Sequence, residues 1–353
     1  MQCVVCHAPE DYRLETRPIP EISDDEVLVK ILAVGICAGD AKCFAGAPYF
    51  WGSPDHPRYV QPPVIPGHEF IGEVVKIGQA AEKKYQLCVG DHAVAEQIIP
   101  CWDCHFCKRG KYNMCTVHDV CGFHQASQGA MATYMRYPAN SIVHKVPKSI
   151  PAWKAVFVEP LACSIHAIEL GDIQFSDTVV ISGCGPLGLG MVTAAKLKNT
   201  KLLIALDLFD WKLDIATKCG ADVILNAAKV NVVEEVQKLT GGFGCDVYVE
   251  ATGHPLSVKQ GLHMMVKQGR FVEYSVFGKE TSVDWTIISD AKELTIRGGH
   301  LSPLCYPKAI SLLDNNQLPM EDIITHQLPM TDVVKGINLV NKSSESIKVV
   351  LIP

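Results

Sequence analysis

Four cysteines fall close together in PCWDCHFCKRGKYNMC: Cys101, Cys104, Cys107 and Cys115, spaced C-x2-C-x2-C-x7-C. Four thiolates at that spacing suit Zn²⁺, which favours sulfur and takes a tetrahedral shell. Lys108, Arg109 and Lys111 lie alongside and offset the negative charge of the cluster. An iron–sulfur cluster is the rival, because bacterial ferredoxins also begin C-x2-C-x2-C; there an x3 spacer follows and the last cysteine precedes proline. Here the spacer is x7 and Thr116 follows Cys115, so structural zinc is the expectation. A closed site of four thiolates staples a loop and does no chemistry itself.

A second pattern is a phosphate cradle. In VVISGCGPLGLG, Gly183, Gly185 and Gly188 form G-x-G-x-x-G directly after a β-branched strand, with Pro186 and Leu187 as the intervening pair. The first glycine permits the tight turn, the second lets backbone approach a pyrophosphate, and the third lets helix and strand pack closely. The helix that follows offers N–H groups and its positive end to phosphate. The next strand, LLIALD, ends in Asp207, about twenty residues on, where an acid binds the ribose 2′-hydroxyl. Asp207 with Leu208 after it favours NAD over NADP, since a 2′-phosphate would meet a carboxylate. A glycine-rich turn serving packing alone is the bland alternative.

The remaining candidates are scattered: Cys37 in GICAGDAK, His68 and Glu69 in PGHEF, and Glu159 in VEPLAC. Singly, a buried cysteine is as readily packing as ligand, and a glutamate before proline as readily opens a helix. Together they supply one sulfur, one nitrogen and carboxylate oxygens, the mixed donor set of an open, catalytic zinc.

The elements that must position these groups divide the chain by texture. Up to about residue 150, short apolar runs (VLVKILAVGI, FIGEVVKIG, DHAVAEQII, ATYMRYP) separated by glycine and proline read as strands and loops. From about 153, strands alternate with helical patterns, which argues for a parallel sheet covered by helices. After 300 come a helix in YPKAISLLDNNQ, a short helix near 331–340 and a last strand, IKVVLIP. With 353 residues, 48% hydrophobic and 20% charged, two packed domains are affordable. The net charge of −6 argues against nucleic acid and anionic membranes as partners, and against a zinc ribbon for nucleic acid. Thr178–Ala195 is uncharged and near membrane-spanning length, but its glycines and Pro186 fit strand–turn–helix better. Glu10 and Asp11 leave no room for a secretory leader, and fifteen cysteines in such a chain predict metal sites in a reducing cytoplasm.

GICAGD, PGHEF, the four-cysteine loop, VEPLA, G-x-G-x-x-G and ELTIRG, in that order, resemble the zinc-dependent medium-chain alcohol and polyol dehydrogenases, of sorbitol and threitol type, over essentially the whole chain. The resemblance implies an α/β protein: a Rossmann doubly wound parallel sheet domain plus a β-rich, GroES-like catalytic domain. The catalytic domain would take residues 1–155, with the structural zinc loop at 101–115, and be completed by 301–353; the NAD-binding domain would take 156–300. It implies NAD and two zincs as cofactors, substrate in the cleft between domains, and a homo-oligomer, tetramer or dimer. By the same likeness Cys37 and His68 are direct zinc ligands, and Glu159 binds directly or through water. Glu69 approaches the metal during ligand exchange or holds its water, and Asp40 fixes the His68 tautomer. An N-cap role for Asp40 is compatible with this.

Two departures stand out. The common turn reads C-G-[Ser/Thr]-D-x-His, whose hydroxyl and imidazole pass the substrate proton outward, whereas this chain has Gly39 and Lys42 there. The expectation is that a zinc-bound water or Glu69 takes the proton first, with Lys42 at the outer end; a phosphate-binding or solvent-facing Lys42 is the alternative. The Arg-Tyr pair used on polyol hydroxyls by sorbitol-type members is replaced by Leu301 and Ser302, after His300, which points away from sorbitol. Tyr49, Phe50 and Trp51 are candidates for the pocket wall, as is His124. The expected reaction is oxidation of a secondary hydroxyl of a small polyol to a ketose by NAD⁺. A threonine-type dehydrogenase and a polyol-phosphate dehydrogenase are the enzyme alternatives. A non-catalytic member of the fold would be expected to lose the ligands this chain keeps.

Overall fold

VLVKILAVGI forms the strand Val27–Ile36, whose side chains are buried almost throughout because it lies in the middle of a seven-stranded sheet. Strand Glu69–Ile77 pairs antiparallel along one edge. The other edge is shared: Tyr134–Tyr137 runs beside residues 27–30, and the last strand, Lys348–Ile352, beside residues 34–36. Strands His92–Ala95 and Val143–Val146 extend the sheet beyond Glu69–Ile77, and Ile324–Pro329 lies outside Lys348–Ile352. Val29, Ile31, Val34, Phe70, Val74, Val349 and Leu351 make its core. Each such side chain, fully buried, contributes about 1.5–3 kcal/mol. The three ends that meet, Ile36, Glu69 and Lys348, bring together parts of the chain about 30 and 300 residues apart.

The computed structural model describes residues 1–353 and divides into two units, each with its own core: Met1–Glu159 with Ala309–Asn315 and Ile324–Pro353, and Pro160–Lys308 with Asn316–Ile323. The second unit holds six parallel strands in the order Val223–Asn226, Leu202–Asp207, Thr178–Ser182, Cys245–Glu250, Met265–Glu273, Thr295–Gly298. Counted along the chain this is 3-2-1-4-5-6, the doubly wound order that leaves a ligand crevice at the carboxyl end of its first strand. The uncharged stretch Thr178–Ala195 is divided there between strand Thr178–Ser182 and helix Pro186–Lys196. No helix of the protein is long and apolar enough to cross a membrane. At the carboxyl tail, YPKAISLLD is the helix Tyr306–Asp314, and a second helix runs Val333–Asn341.

Candidate metal centre and dinucleotide site

Where strand Val27–Ile36 ends, the chain turns into helix Ala38–Phe44 and Cys37 becomes its N-cap. The cap is reciprocal. Cys37 Sγ accepts from Gly39 N–H at 3.4 Å, and Cys37 N–H donates to Asp40 Oδ2 at 2.8 Å. The other carboxylate oxygen of Asp40 faces His68 Nδ1 at 3.4 Å, long for a hydrogen bond, and neither atom has a better partner. Asp40 thus caps the helix with one oxygen and faces the His68 ring with the other. Burial alone would lower the pKa of His68, but the Asp40 carboxylate and the Cys37 sulfur outweigh it and hold it well above the usual value.

His68 follows Gly67, whose φ is +99°, and Glu69 opens the strand registered against Gly35. Gly35 is there for space: a Cβ on it would collide with the Glu69 carboxylate and lie 2.9 Å from Lys348 Cε. Glu69 is paired with Lys348, a fully buried lysine in the last strand, whose Nζ also donates to Ile36 O at 3.1 Å. Burial pushes the Lys348 pKa down, yet the charges of Glu69 and Cys37 prevail and the net direction is up.

Cys37 Sγ, a His68 ring nitrogen and a Glu69 oxygen lie within 4.8 Å of one another. Soft sulfur, imidazole and carboxylate converging in a half-dry recess, with a carboxylate behind the imidazole, fit zinc. Glu159, in the first turn of helix Val158–Leu170, stands outside that trio; its Oε1 accepts from Gln97 Nε2 at 2.6 Å. The four thiols of Cys101, Cys104, Cys107 and Cys115 also lie within 4.8 Å of one another. Backbone N–H groups of Cys107 and Thr116 pull the Cys104 thiol down to about 5, whereas burial pushes Cys107 up to about 12. Bringing all four to thiolate together calls for a dication, and the donor set fits zinc.

In the second unit, Gly185 caps helix Pro186–Lys196, with Pro186 in its first turn, where a missing N–H costs nothing. Gly183 has φ +103°, and a Cβ on Gly188 would collide with Gly183 O. A Cβ on Gly185, by contrast, would meet nothing within 4 Å, so packing does not demand glycine there and the space suits a phosphate chain. Asp207 Oδ2 accepts from Cys184 N–H at 2.7 Å and Oδ1 from Leu208 and Phe209 N–H, which fixes the carboxylate at the mouth of the turn.

The sequence matches the family models for the alcohol dehydrogenase GroES-like domain over residues 23–148 and for zinc-binding dehydrogenase over residues 186–315. It is 52% identical to erythritol/L-threitol dehydrogenase of Mycolicibacterium smegmatis over 353 residues, all of this chain and 98% of that protein. The chain belongs to the zinc-dependent medium-chain alcohol and polyol dehydrogenases. It is also 34% identical to L-threonine 3-dehydrogenase of Bacillus velezensis, over 96% of this chain and 95% of that one. Among solved structures, an Escherichia coli CFT073 protein described as a short chain alcohol dehydrogenase, complexed with cofactor NADH, superposes with a TM-score of 0.87 at 27% identity, over 100% of this chain and 99% of that one. As a member of this family the chain is an oxidoreductase that works with zinc and a nicotinamide dinucleotide.

Gly39 carries no relay hydroxyl, and the aromatic run Tyr49–Trp51 fills part of the space around it. Phe50 Cζ stands 3.8 Å from where a Cβ on Gly39 would lie. The Phe50 ring stacks on Phe123 at 5.2 Å, and Phe123 packs at 5.6 Å against His68. Of these three aromatics, only Phe50 is buried beside the metal trio; Tyr49 is exposed on its edge, and Trp51 turns back to donate to Cys43 O. His124 Nδ1 pairs with Asp119 at 3.1 Å, and its ring packs on Tyr59. Lys42 is half-buried one turn beyond Cys37; burial lowers its pKa and the Cys37 sulfur opposes this. Leu301 and Ser302 lie in the second unit, where Leu301 O accepts from Tyr274 and the Ser302 side chain is buried.

Two residues at the site escape sequence reasoning: Lys348 and Gln97. The signal for Lys348 was a single lysine opening the apolar run KVVLI, and for Gln97 a polar pair, Glu96–Gln97, between the strand residues His92–Ala95 and Ile98–Ile99.

Proposed function

We propose that the protein oxidises a secondary hydroxyl of a small polyol to a ketose with NAD⁺, reversibly, with a four-carbon tetritol as the first candidate substrate. The observation that carries this reading is the 52% identity over the whole chain to an enzyme named for erythritol and L-threitol. Asp207 supports NAD over NADP, because a 2′-phosphate would sit against a carboxylate already fixed in place. When bound, zinc supplies Lewis acidity that eases ionisation of a hydroxyl, and the nicotinamide supplies a hydride acceptor.

This chain's own part is to hold and orient. Cys37, His68 and Glu69 would hold the metal, with Glu159 close by, and Asp40 keeps the His68 ring turned. Cys101, Cys104, Cys107 and Cys115 would hold the second zinc. The backbone of Gly183–Gly188, with Pro186 and Leu187, cradles the dinucleotide, and Asp207 accepts its ribose hydroxyl. With Gly39 unable to pass a proton, Lys42 Nζ serves as the outer carrier, its amine eased towards neutrality by burial. Phe50 and Phe123 exclude water beside His68. Free thiols throughout support work in the cytoplasm. A homo-oligomer is supported by the edge strand Thr295–Gly298, exposed at every residue, and by the exposed Trp285.

The test is NADH formation by zinc-loaded protein with erythritol, threitol, five- and six-carbon polyols, threonine and simple alcohols. Turnover fastest with a small polyol is expected. Turnover confined to threonine would make the 34% relatives the better guide, and no turnover with any of these would remove the reading.

A further inference from the structure

Glu96 and Gln97 form the bend between strands His92–Ala95 and Ile98–Ile99, and their side chains reach different partners. Both are buried, at 2% and 1% exposure. The Glu96 carboxylate accepts from Tyr112 Oη at 2.9 Å and pairs with His144 at 3.1 Å. Tyr112 belongs to the four-cysteine loop, between Cys107 and Cys115. Gln97 Nε2 donates to Glu159 Oε1 at 2.6 Å across 62 residues of sequence, while Gln97 O accepts from Cys121 N–H at 2.8 Å. One dipeptide therefore grips the structural loop with one side chain and Glu159 with the next.

An amide is a suitable group for this. It donates to a carboxylate without bringing a counter-charge, so it orients Glu159 and leaves the metal recess without another cation. We propose that Gln97 is a positioning residue: it holds Glu159 apart from the Cys37–His68–Glu69 trio, so that the carboxylate does not complete the donor set there. This rests on the dehydrogenase reading, since an open place beside the metal matters only if substrate uses it.

The test uses full-length protein loaded with Co²⁺ at the Cys37 site and Zn²⁺ at the four-cysteine site. Gln97→Met keeps length and volume and removes the donor. The visible cobalt bands of Q97M are expected to change in intensity and position, chelator release of cobalt to slow, and KM for the polyol to rise about tenfold with kcat changed less. In a Glu159→Gln background the Gln97→Met change should leave the bands where they are, which a general disturbance of the fold would not. Tyr112→Phe, which loosens the other face of the same dipeptide, should leave the cobalt bands unchanged. Should Q97M not fold, Glu159→Gln alone decides: unchanged bands fit a carboxylate held apart, and changed bands overturn the proposal. Bands and KM of Q97M identical to those of the parent also overturn it. Failure of the dehydrogenase reading looks different, as a parent protein that turns over no polyol.

Discussion

Replacing Lys348 by methionine tests whether the buried pair with Glu69 organises the metal recess. Lys348 is 1% exposed and Glu69 2%, so neither charge can turn to water when the other is removed. Breaking such a pair from one side costs about 3–5 kcal/mol, because the remaining charge is left uncompensated. The hydrogen bond from Nζ to Ile36 O adds about 1 kcal/mol. With a urea slope of roughly 3 kcal/mol/M for a unit of this size, the sum lowers the midpoint of the metal-free protein by about 1.3–2 M. The assay is urea titration with hydrogen-exchange mass spectrometry of peptides from residues 27–36, which reports the first unit alone. Lys348→Met/Glu69→Gln removes both charges and should recover much of the loss. Saturating zinc should also shrink the Lys348→Met shift, by giving Glu69 another positive partner. A shift below about 0.3 M, or a double variant as unstable as Lys348→Met, would refute the reasoning.

Gly39→Ser places a Cβ 3.7 Å from Cys37 Sγ and 3.8 Å from Phe50 Cζ, ordinary contact distances, so stability should change by less than about 1 kcal/mol. If the added hydroxyl enters the proton path, the pH profile of kcat shifts; an unchanged profile places the path elsewhere. Gly185→Ala should leave the melting temperature of the cofactor-free protein within a degree or so and weaken dinucleotide binding at least tenfold by titration calorimetry, whereas Gly188→Ala should destabilise the fold itself. Burial raises the Glu273 carboxyl from 4.5 to about 8, against an N–H from Ser275. The folded protein keeps a proton that the unfolded chain releases above pH ~4.5, so this group costs stability increasingly up to pH ~8. Glu273→Gln should therefore raise the melting temperature little at pH 5 and more at pH 8; an equal gain at both would show that ionisation is not the cause.

Local spacing was legible in the sequence, and distant pairing was not. The four-cysteine loop and the glycine turn each lie within one short stretch, where residue type and interval already dictate the geometry. The donor types of Cys37, His68 and Glu69 were legible but their meeting was not, since antiparallel pairing of Val27–Ile36 with Glu69–Ile77 is what brings them together. Asp40 is a cap, as one of its two readings had it, and its second oxygen faces His68 Nδ1 at 3.4 Å, because its two oxygens point to different partners. The aromatic run Tyr49–Trp51 read as one wall, but a single helical turn sends its side chains in different directions and leaves Phe50 beside the site. Lys348 lies 312 residues from the carbonyl it meets, and Gln97 62 residues from Glu159; nothing local distinguishes them from other polar residues in strands.

The central claim is that hydride leaves a secondary carbon of a polyol for the nicotinamide. It is tested most directly by incubating the zinc-loaded protein and NAD⁺ with L-threitol deuterated at its two inner carbons, then weighing the reduced cofactor by mass spectrometry. The account predicts NADH carrying one deuterium. Unlabelled NADH, which would draw its hydride from a terminal carbon, or no reduced cofactor at all, would contradict it.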